Sequence, residues 1–242
     1  MAIIDFLLLL VLGVVTWCVA SEGMWGAAIT FVAILISGLV AMNLFEPVAR
    51  FISTNILTGY YWDMRLDIIA LLGLFGGGIM LLRALSERLL PTYAEVNPLL
   101  HDIGRWVLGV ASGYVVMAVL LTSLHTAPMP REFLGFRPER ANLFEAVAPD
   151  RQWLGFVQYV SEHGMRRMEN GRPVGFDTVE FPSNPDDPNT MLKWSSFPIR
   201  YAARREIFGS GGQKSAASAA PETPPPPSIT PVPSSGGGAS GF

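Results

Sequence analysis

The chain has 242 residues, of which 50% are hydrophobic and 15% are charged, whereas about 25% of the residues are charged in an average soluble domain. Residues 1–128 contain 5 Arg and no Lys against 8 acidic residues, while residues 129–242 contain 12 residues of each sign. Neither half has the basic excess that indicates nucleic-acid binding. The one cysteine, Cys18, excludes an intrachain disulfide and a cysteine-based metal site.

Four apolar segments in the first half predict membrane-spanning helices. They cover residues 3–20, 24–45, 68–85 and 106–124, and roughly 20 helical residues cross a hydrocarbon core about 30 Å thick. None has the polar stripe of a helix on the surface of a soluble protein. Because a backbone in lipid must satisfy its own hydrogen bonds, we predict an all-α membrane domain of four helices over residues 1–128.

The first apolar segment is predicted to be a retained helix rather than a cleaved signal peptide. It has no basic residue before it, and another apolar segment follows almost at once. The short connection of Ser21, Glu22 and Gly23 therefore predicts an antiparallel hairpin between the first two spans.

The connection from Glu46 to Asp67 combines a proline, a helical pattern and an aromatic cluster. Pro47 suits the first turn of a new helix, and apolar residues recur after it at helical spacing. This pattern predicts a short helix in the membrane interface, with a packed loop helix as the alternative. The cluster, which is typical of headgroup depth, consists of Tyr60, Tyr61 and Trp62.

The distribution of arginines predicts the orientation. Four spans place both termini on one side, together with five arginines near the membrane: Arg50, Arg65, Arg131, Arg137 and Arg140. Three arginines lie on the other side: Arg83, Arg88 and Arg105. By the positive-inside rule, we expect both termini in the cytoplasm.

Glycines at GxxxG spacing occur in the third and fourth spans, as the pairs Gly73/Gly77 and Gly109/Gly113. Small residues four apart let two helices approach closely in lipid. We therefore predict that these faces pack against something. The candidates are the other helices of the same chain, a second copy or another membrane protein, and a glycine-lined permeation path.

The membrane domain resembles the CvpA (colicin V production) family of small bacterial inner-membrane proteins over about residues 3–127. The resemblance is carried by Ile4-Asp5-Phe6 at the start of span one, by Gly23 in the hairpin, and by Leu108-Gly109 followed by Gly113 in span four. It implies a role in toxin production or export and in envelope homeostasis, for which the family has no established chemistry.

The sequence also departs from that family. Glu22 stands where the family commonly has Arg, and Arg105-Trp106 stands where it tends to have an Asp-Arg pair. Asp102 and Arg105, three residues apart, are able to meet on one helical face. No part of the chain beyond about residue 128 matches the family's usual short tail.

Ionisable residues near the spans are the candidate functional positions. We interpret Asp5 as a helix-end residue that reaches water or as a favourable acid near a helix N-terminus. We interpret Arg83 as a side chain that extends to the interface beside Glu87, and Glu22 as a solvated turn residue. The pair Asp102 and Arg105 is the strongest candidate for a deliberate polar contact at the mouth of the bundle, either a structural ion pair or a contact with a substrate or ion.

Residues 129–208 are predicted to form a small, irregular soluble extension. Pro149 and Asp150 start a helix that runs to about His163, and a last helix is expected near 199–207. Residues 171–189 are proline-rich and predict mostly loop, with a short strand or an extended contact at Phe176, Val179 and Phe181. Residues 209–242 are rich in Gly, Pro and Ser, which predicts a disordered tail.

No sequence pattern for catalysis or for a cofactor is found. The chain has no GxxxxGK[ST], GxGxxG or GxSxG motif, and His101, His125 and His163 lack metal-ligand spacing. We interpret His125, at the end of span four, as an interfacial residue. The chain is therefore predicted to be a non-enzymatic membrane protein without metal or cofactor, whose partners are the lipid bilayer and its own copies or other membrane proteins. The alternative is a small transporter or channel subunit.

Overall fold

The computed structural model describes residues 3–57, 59–89, 97–130, 133–137 and 141–164, and thereafter 167–169, 172–174, 178–184 and 187–195. It also describes six single positions: Phe176, Phe197, Pro198, Tyr201, Ala202 and Arg205. The predicted tail, residues 209–242, and most of the predicted helix at 199–207 lie outside these residues.

Four long helices contain the four predicted spans. They are α1 (Ile3–Ala20), α2 (Gly23–Asn55), α3 (Tyr60–Leu89) and α4 (Pro98–Thr126), and each is long and apolar enough to cross a membrane. Many large apolar side chains on them are exposed, as lipid-facing side chains are in a bilayer. The prediction of an all-α membrane domain is confirmed, and the chain is an integral membrane protein.

Helix α2 runs past the predicted span, straight through Pro47. The prediction that Pro47 starts a separate interfacial helix is therefore wrong. Ala49 is buried, and Val48 and Ile52 pack against the same apolar core. That packing continues the helix, although a proline removes one of its hydrogen bonds.

The helices pack as two pairs, which are joined by a contact between α4 and α2. Helix α2 lies along α3, and α1 lies along α4, which also contacts α2. One apolar core joins α2, α3 and α4 around Phe45, Leu71 and Val119. A second core joins α1 and α4 around Leu8 and Leu121.

The extension closes one end of this bundle. Helix α5 (Pro149–His163), where the sequence predicted a helix, lies against α4 and buries Trp153, Leu154 and Val157. These side chains, with Phe197 and Tyr201, belong to the same apolar core as α2 and α3. This end of the bundle contains the N-terminal ends of α1 and α3 and the C-terminal ends of α2 and α4. The extension therefore covers the end opposite the α1–α2 turn.

Four strands follow α5 and pair as two antiparallel hairpins. Strand β1 (Arg167–Glu169) pairs with β2 (Arg172–Val174), and β3 (Thr178–Asn184) pairs with β4 (Asp187–Ser195). The prediction of mostly loop over 171–189 is wrong for the described part of that range. Prolines such as Pro173 and Pro182 fit because a two-stranded ribbon consists of edge strands, where proline is tolerated.

Candidate functional site

The glycines of α4 form the contact between α4 and α1. A Cβ added at Gly109 would lie 2.9 Å from the carbonyl oxygen of Thr16, and one at Gly113 would lie 2.8 Å from that of Leu12. Both contacts are with backbone, which has little freedom to move aside. The face of Gly109 and Gly113 is therefore occupied within the chain, as the first of the three alternatives requires.

The glycines of α3 have the same spacing and an open environment. A Cβ added at Gly73, Gly76 or Gly77 meets no other atom within 4 Å. Gly73 and Gly77 are exposed, as are Ile69 and Met80 on the same side of the helix. Gly78, by contrast, faces α2, where an added Cβ would lie 2.8 Å from the hydroxyl oxygen of Ser37. Helix α3 thus uses Gly78 inside the bundle and leaves the face of Gly73 and Gly77 without a partner among the described residues.

Glu22 connects the α1–α2 turn to α3. Its side chain lies over Gly26, where an added Cβ would come within 2.8 Å of the Cβ of Glu22. One carboxylate oxygen accepts a hydrogen bond from the Thr30 hydroxyl at 2.9 Å, and the other pairs with the guanidinium of Arg83. The interpretation of Glu22 as a solvated turn residue is therefore wrong: it forms an ion pair between helices.

Arg83 contacts two acids. Besides Glu22 it approaches Glu87, one helical turn away, with 3.6 Å between nitrogen and oxygen. The sequence placed Arg83 beside Glu87 and did not predict the contact with Glu22, because that contact joins residues 61 positions apart.

Gly23 has the conformation that the tight turn requires. Its φ is +79°, which L-residues with a side chain rarely adopt. An added Cβ would also lie 3.1 Å from Nε2 of His101. Gly23 is therefore explained by the geometry of the hairpin and by the close approach of α4.

Asp102 and Arg105 meet on one face of α4, as their spacing predicted. The distance between carboxylate oxygen and guanidinium nitrogen is 3.2 Å, and the side chains are 66% and 36% exposed. Arg105 also lies over the ring of Trp106, 5.9 Å from its centroid. The pair lies at the rim of the bundle, and exposed pairs of this kind contribute little to stability.

Asp5 is buried, with only 6% of its surface exposed. Its Oδ1 accepts a hydrogen bond from the backbone N–H of Phe144 at 2.9 Å. Phe144 has a φ of +53°, and Glu145 after it has a φ of +60°, so a sharply turned segment presents this N–H to the carboxylate. Asp5 lies in the first turn of α1, as one of its two interpretations expected, but it does not reach water. It anchors the extension to the start of α1.

A buried polar cluster that the sequence analysis missed lies at the same end of the bundle. His125 and Asp150 are 1% and 0% exposed, and Nε2 of His125 lies 2.8 Å from Oδ2 of Asp150. Nη2 of Arg205, which is also buried, lies 3.4 Å from Nδ1 of His125. The rings of Phe136 and Phe197 pack edge-on against His125. We call His125, Asp150 and Arg205 the polar clamp.

Both ring nitrogens of His125 have a polar partner in the polar clamp. Nε2 faces the carboxylate of Asp150, and Nδ1 faces the guanidinium of Arg205. Neither nitrogen is therefore left without a hydrogen-bonding group in these apolar surroundings. His125 lies at the end of α4, where the sequence predicted an interfacial residue, and it is buried there between α5 and Arg205.

A third buried acid, Asp67, also contacts a residue of the extension. It lies near the start of α3, and its Oδ2 is 3.4 Å from the hydroxyl oxygen of Tyr201. Asp5, Asp67 and His125 are thus buried polar groups of the bundle that meet partners from the extension. Burying polar groups without partners is costly, so the extension completes the bundle at this end. The sequence signal was the occurrence of ionisable residues at span ends; their partners are distant in the chain.

Among the described residues, no group of three or more His, Cys, Asp or Glu is arranged to hold a metal ion. No protein-family model, curated protein or solved structure matches the chain.

Proposed function

We propose that this protein is a non-catalytic component of a membrane assembly, which self-associates through the open face of α3 around Gly73 and Gly77. The observation that supports the proposal is the contrast between the two glycine pairs. Gly109 and Gly113 contact the backbone of α1, whereas nothing in the described structure lies within 4 Å of a Cβ at Gly73 or Gly77.

Exposed glycines in the middle of a helix have a cost that association offsets. A glycine in a soluble helix interior is about 1 kcal/mol less favourable than alanine. In lipid, small residues stabilise association because they let backbones approach closely, with dispersion and weak hydrogen bonds between the helices. The exposed apolar side chains of Ile69 and Met80 extend this face on either side of the glycines.

The paired charges favour an assembly role over the alternative of a transporter or channel subunit. A permeation path would need Asp5, Glu22, Asp102 or Arg105 to face a water-filled cavity. Asp5 is bound by a backbone N–H, Glu22 is bound by Arg83, and Asp102 is paired with Arg105 at the rim. Each of these groups therefore has a partner within the chain.

The resemblance to the CvpA family suggests which process the assembly serves. Its residues include Asp5, Gly23, Gly109 and Gly113, and each has a defined structural role here. We therefore propose that the protein lies in the bacterial inner membrane. We also propose that the assembly supports a partner that acts in toxin-peptide production or export and in envelope homeostasis.

Replacing both Gly73 and Gly77 with Leu should convert the detergent-solubilised protein from an oligomer to a monomer. The added side chains fill open space, so the fold is expected to remain, while two α3 helices no longer approach closely. Gly13→Leu is the matched control, since Gly13 is also exposed in a span and has no atom within 4 Å of an added Cβ. Light scattering that gives the same mass for both variants and the native chain would refute the proposal.

The orientation in this proposal has both termini in the cytoplasm. We expect a reporter that is active only on the cytoplasmic side to be active when fused after residue 242, because five of the eight arginines near the spans share the side of the termini. A reporter active only outside the cytoplasm, fused at the same place, serves as the control. Activity of that second reporter alone would reverse the orientation.

A further inference from the structure

An apolar groove of about 510 Å³ lies between α2 and α3, on the side of the membrane where α1 turns into α2. On α2 it is lined mainly by Trp25, Ala28, Val32 and Ile36, and on α3 by the last turns from Leu82 to Leu89. It is separate from the assembly face, because Gly73 and Gly77 lie on the opposite side of α3 at 100° per residue.

The groove lies between a close contact of α2 with α3 and the ion pair that joins Glu22 to Arg83. The two helices are in close contact where Gly78 meets Ser37, next to the deep end of the groove at Ile36. Toward the α1–α2 turn, small side chains such as Ala28 and Ala33 leave the space between the helices unfilled. The groove is therefore closed toward the middle of the bilayer and opens sideways toward lipid.

We propose that this groove binds one acyl chain of a phospholipid from the leaflet on the side of the α1–α2 turn. From Trp25 to Ile36 the helical rise gives a length of about 16 Å, close to the roughly 15 Å depth of one leaflet of hydrocarbon. Most of the lining is apolar, and its one hydroxyl, that of Ser86, donates to the carbonyl of Arg83 at 2.8 Å. The other polar group, the buried Nε1–H of Trp25, has no hydrogen-bond partner among the described residues and lies at the outer end of the groove.

The dimensions favour a single hydrocarbon chain over a helix of a second copy. A volume of 510 Å³ over about 16 Å gives a mean cross-section of about 30 Å², whereas a helix with its side chains is roughly 10–12 Å across. The position of Trp25 at the outer end also fits, because tryptophan is enriched at headgroup depth. The paired charges of Glu22, Arg83 and Glu87 lie near the same end.

The test uses the full chain in vesicles of phosphatidylcholine that carries a photoreactive diazirine in the acyl chain. We expect crosslinks, mapped by mass spectrometry of the digested protein, to concentrate on residues 25–36 and 82–89. Equally exposed side chains of α1, such as Phe6 and Leu10, should be labelled several-fold less. Labelling at equal density around the whole perimeter would overturn the proposal, and this comparison needs no variant.

A variant that fills the groove sharpens the test. Ala28→Phe should lower the crosslinks in the groove several-fold, while Gly13→Phe, which adds the same ring at an open position of α1, should not. If Ala28→Phe instead changes the oligomeric mass and the native groove is unlabelled, a second copy occupies the groove and the proposal is wrong. Neither result depends on Gly73 and Gly77, so this proposal and the proposed function succeed or fail independently.

Discussion

Replacing Gly113 with Leu should separate α1 from α4 and lower the thermal unfolding midpoint in detergent by roughly 5 °C or more. An added Cβ would lie 2.8 Å from the carbonyl oxygen of Leu12 and 2.9 Å from the hydroxyl oxygen of Thr16. Overpacking in a well-packed core costs about 1–3 kcal/mol when side chains are able to adjust. Here the nearest atom belongs to the backbone, so the helices themselves must move apart.

The controls for this prediction come from the same chain. Gly109→Leu should have an effect of the same kind, because its Cβ would lie 2.9 Å from the carbonyl oxygen of Thr16. Gly73 also has a second glycine four residues away, but its face is open. Gly73→Leu should therefore leave the unfolding midpoint of a monomer nearly unchanged. Equal midpoints for Gly113→Leu and Gly73→Leu would contradict the distinction between an occupied and an open glycine face.

Removing one member of the polar clamp should release the extension from the bundle. Asp150→Ala takes away the acceptor of His125 and leaves Arg205 in a buried site without that carboxylate. Leaving a buried hydrogen-bonding group without its partner typically costs about 1–3 kcal/mol, and more where a charged group is involved. We expect a lower unfolding midpoint and faster protease cleavage between α4 and α5.

The matched control is Asp102→Ala, which removes an acid of the same type from an exposed pair with Arg105. Its effect should be small, because exposed ion pairs contribute little. His125→Phe is a second variant that keeps an aromatic ring against Phe136 and Phe197 but loses both hydrogen bonds. If Asp150→Ala is cleaved no faster than Asp102→Ala, the polar clamp does not hold the extension in place.

The spans could be predicted from sequence because their signal is local. A run of apolar residues as long as a bilayer is thick has few other stable environments, and the four runs fall inside α1 to α4. The end of α2 could not be predicted in the same way. Pro47 is a local signal for a helix start, whereas the packing of Ala49 against the core depends on α3 and on the extension.

The glycine pairs show what a local sequence pattern is unable to predict. Gly73/Gly77 and Gly109/Gly113 have identical spacing, and the sequence predicted the same alternatives for both. Their environments differ because α1 packs against the glycine face of α4, whereas no described helix packs against the face of Gly73 and Gly77 on α3. Which helices are neighbours is a property of the whole chain and is not encoded in a five-residue motif.

The polar clamp was missed for the same reason. His125 and Asp150 are 25 residues apart, and Arg205 is 80 residues from His125. Taken singly, each is an ionisable residue near a helix end, where contact with water is the usual outcome. The extension buries all three, so their function in fastening the fold appears only when α5 is placed against α4.

Disulfide crosslinking in the native membrane tests the central claim, that the open face of α3 joins copies of this chain. In a Cys18→Ser background, single cysteines at Ile69 or Met80 should form covalent dimers on mild oxidation, because a disulfide needs Cα atoms within about 7 Å. A cysteine at Leu10, equally exposed on α1, should remain monomeric. Dimers at Leu10 as abundant as those at Ile69 and Met80, or none at either α3 position, would contradict the account.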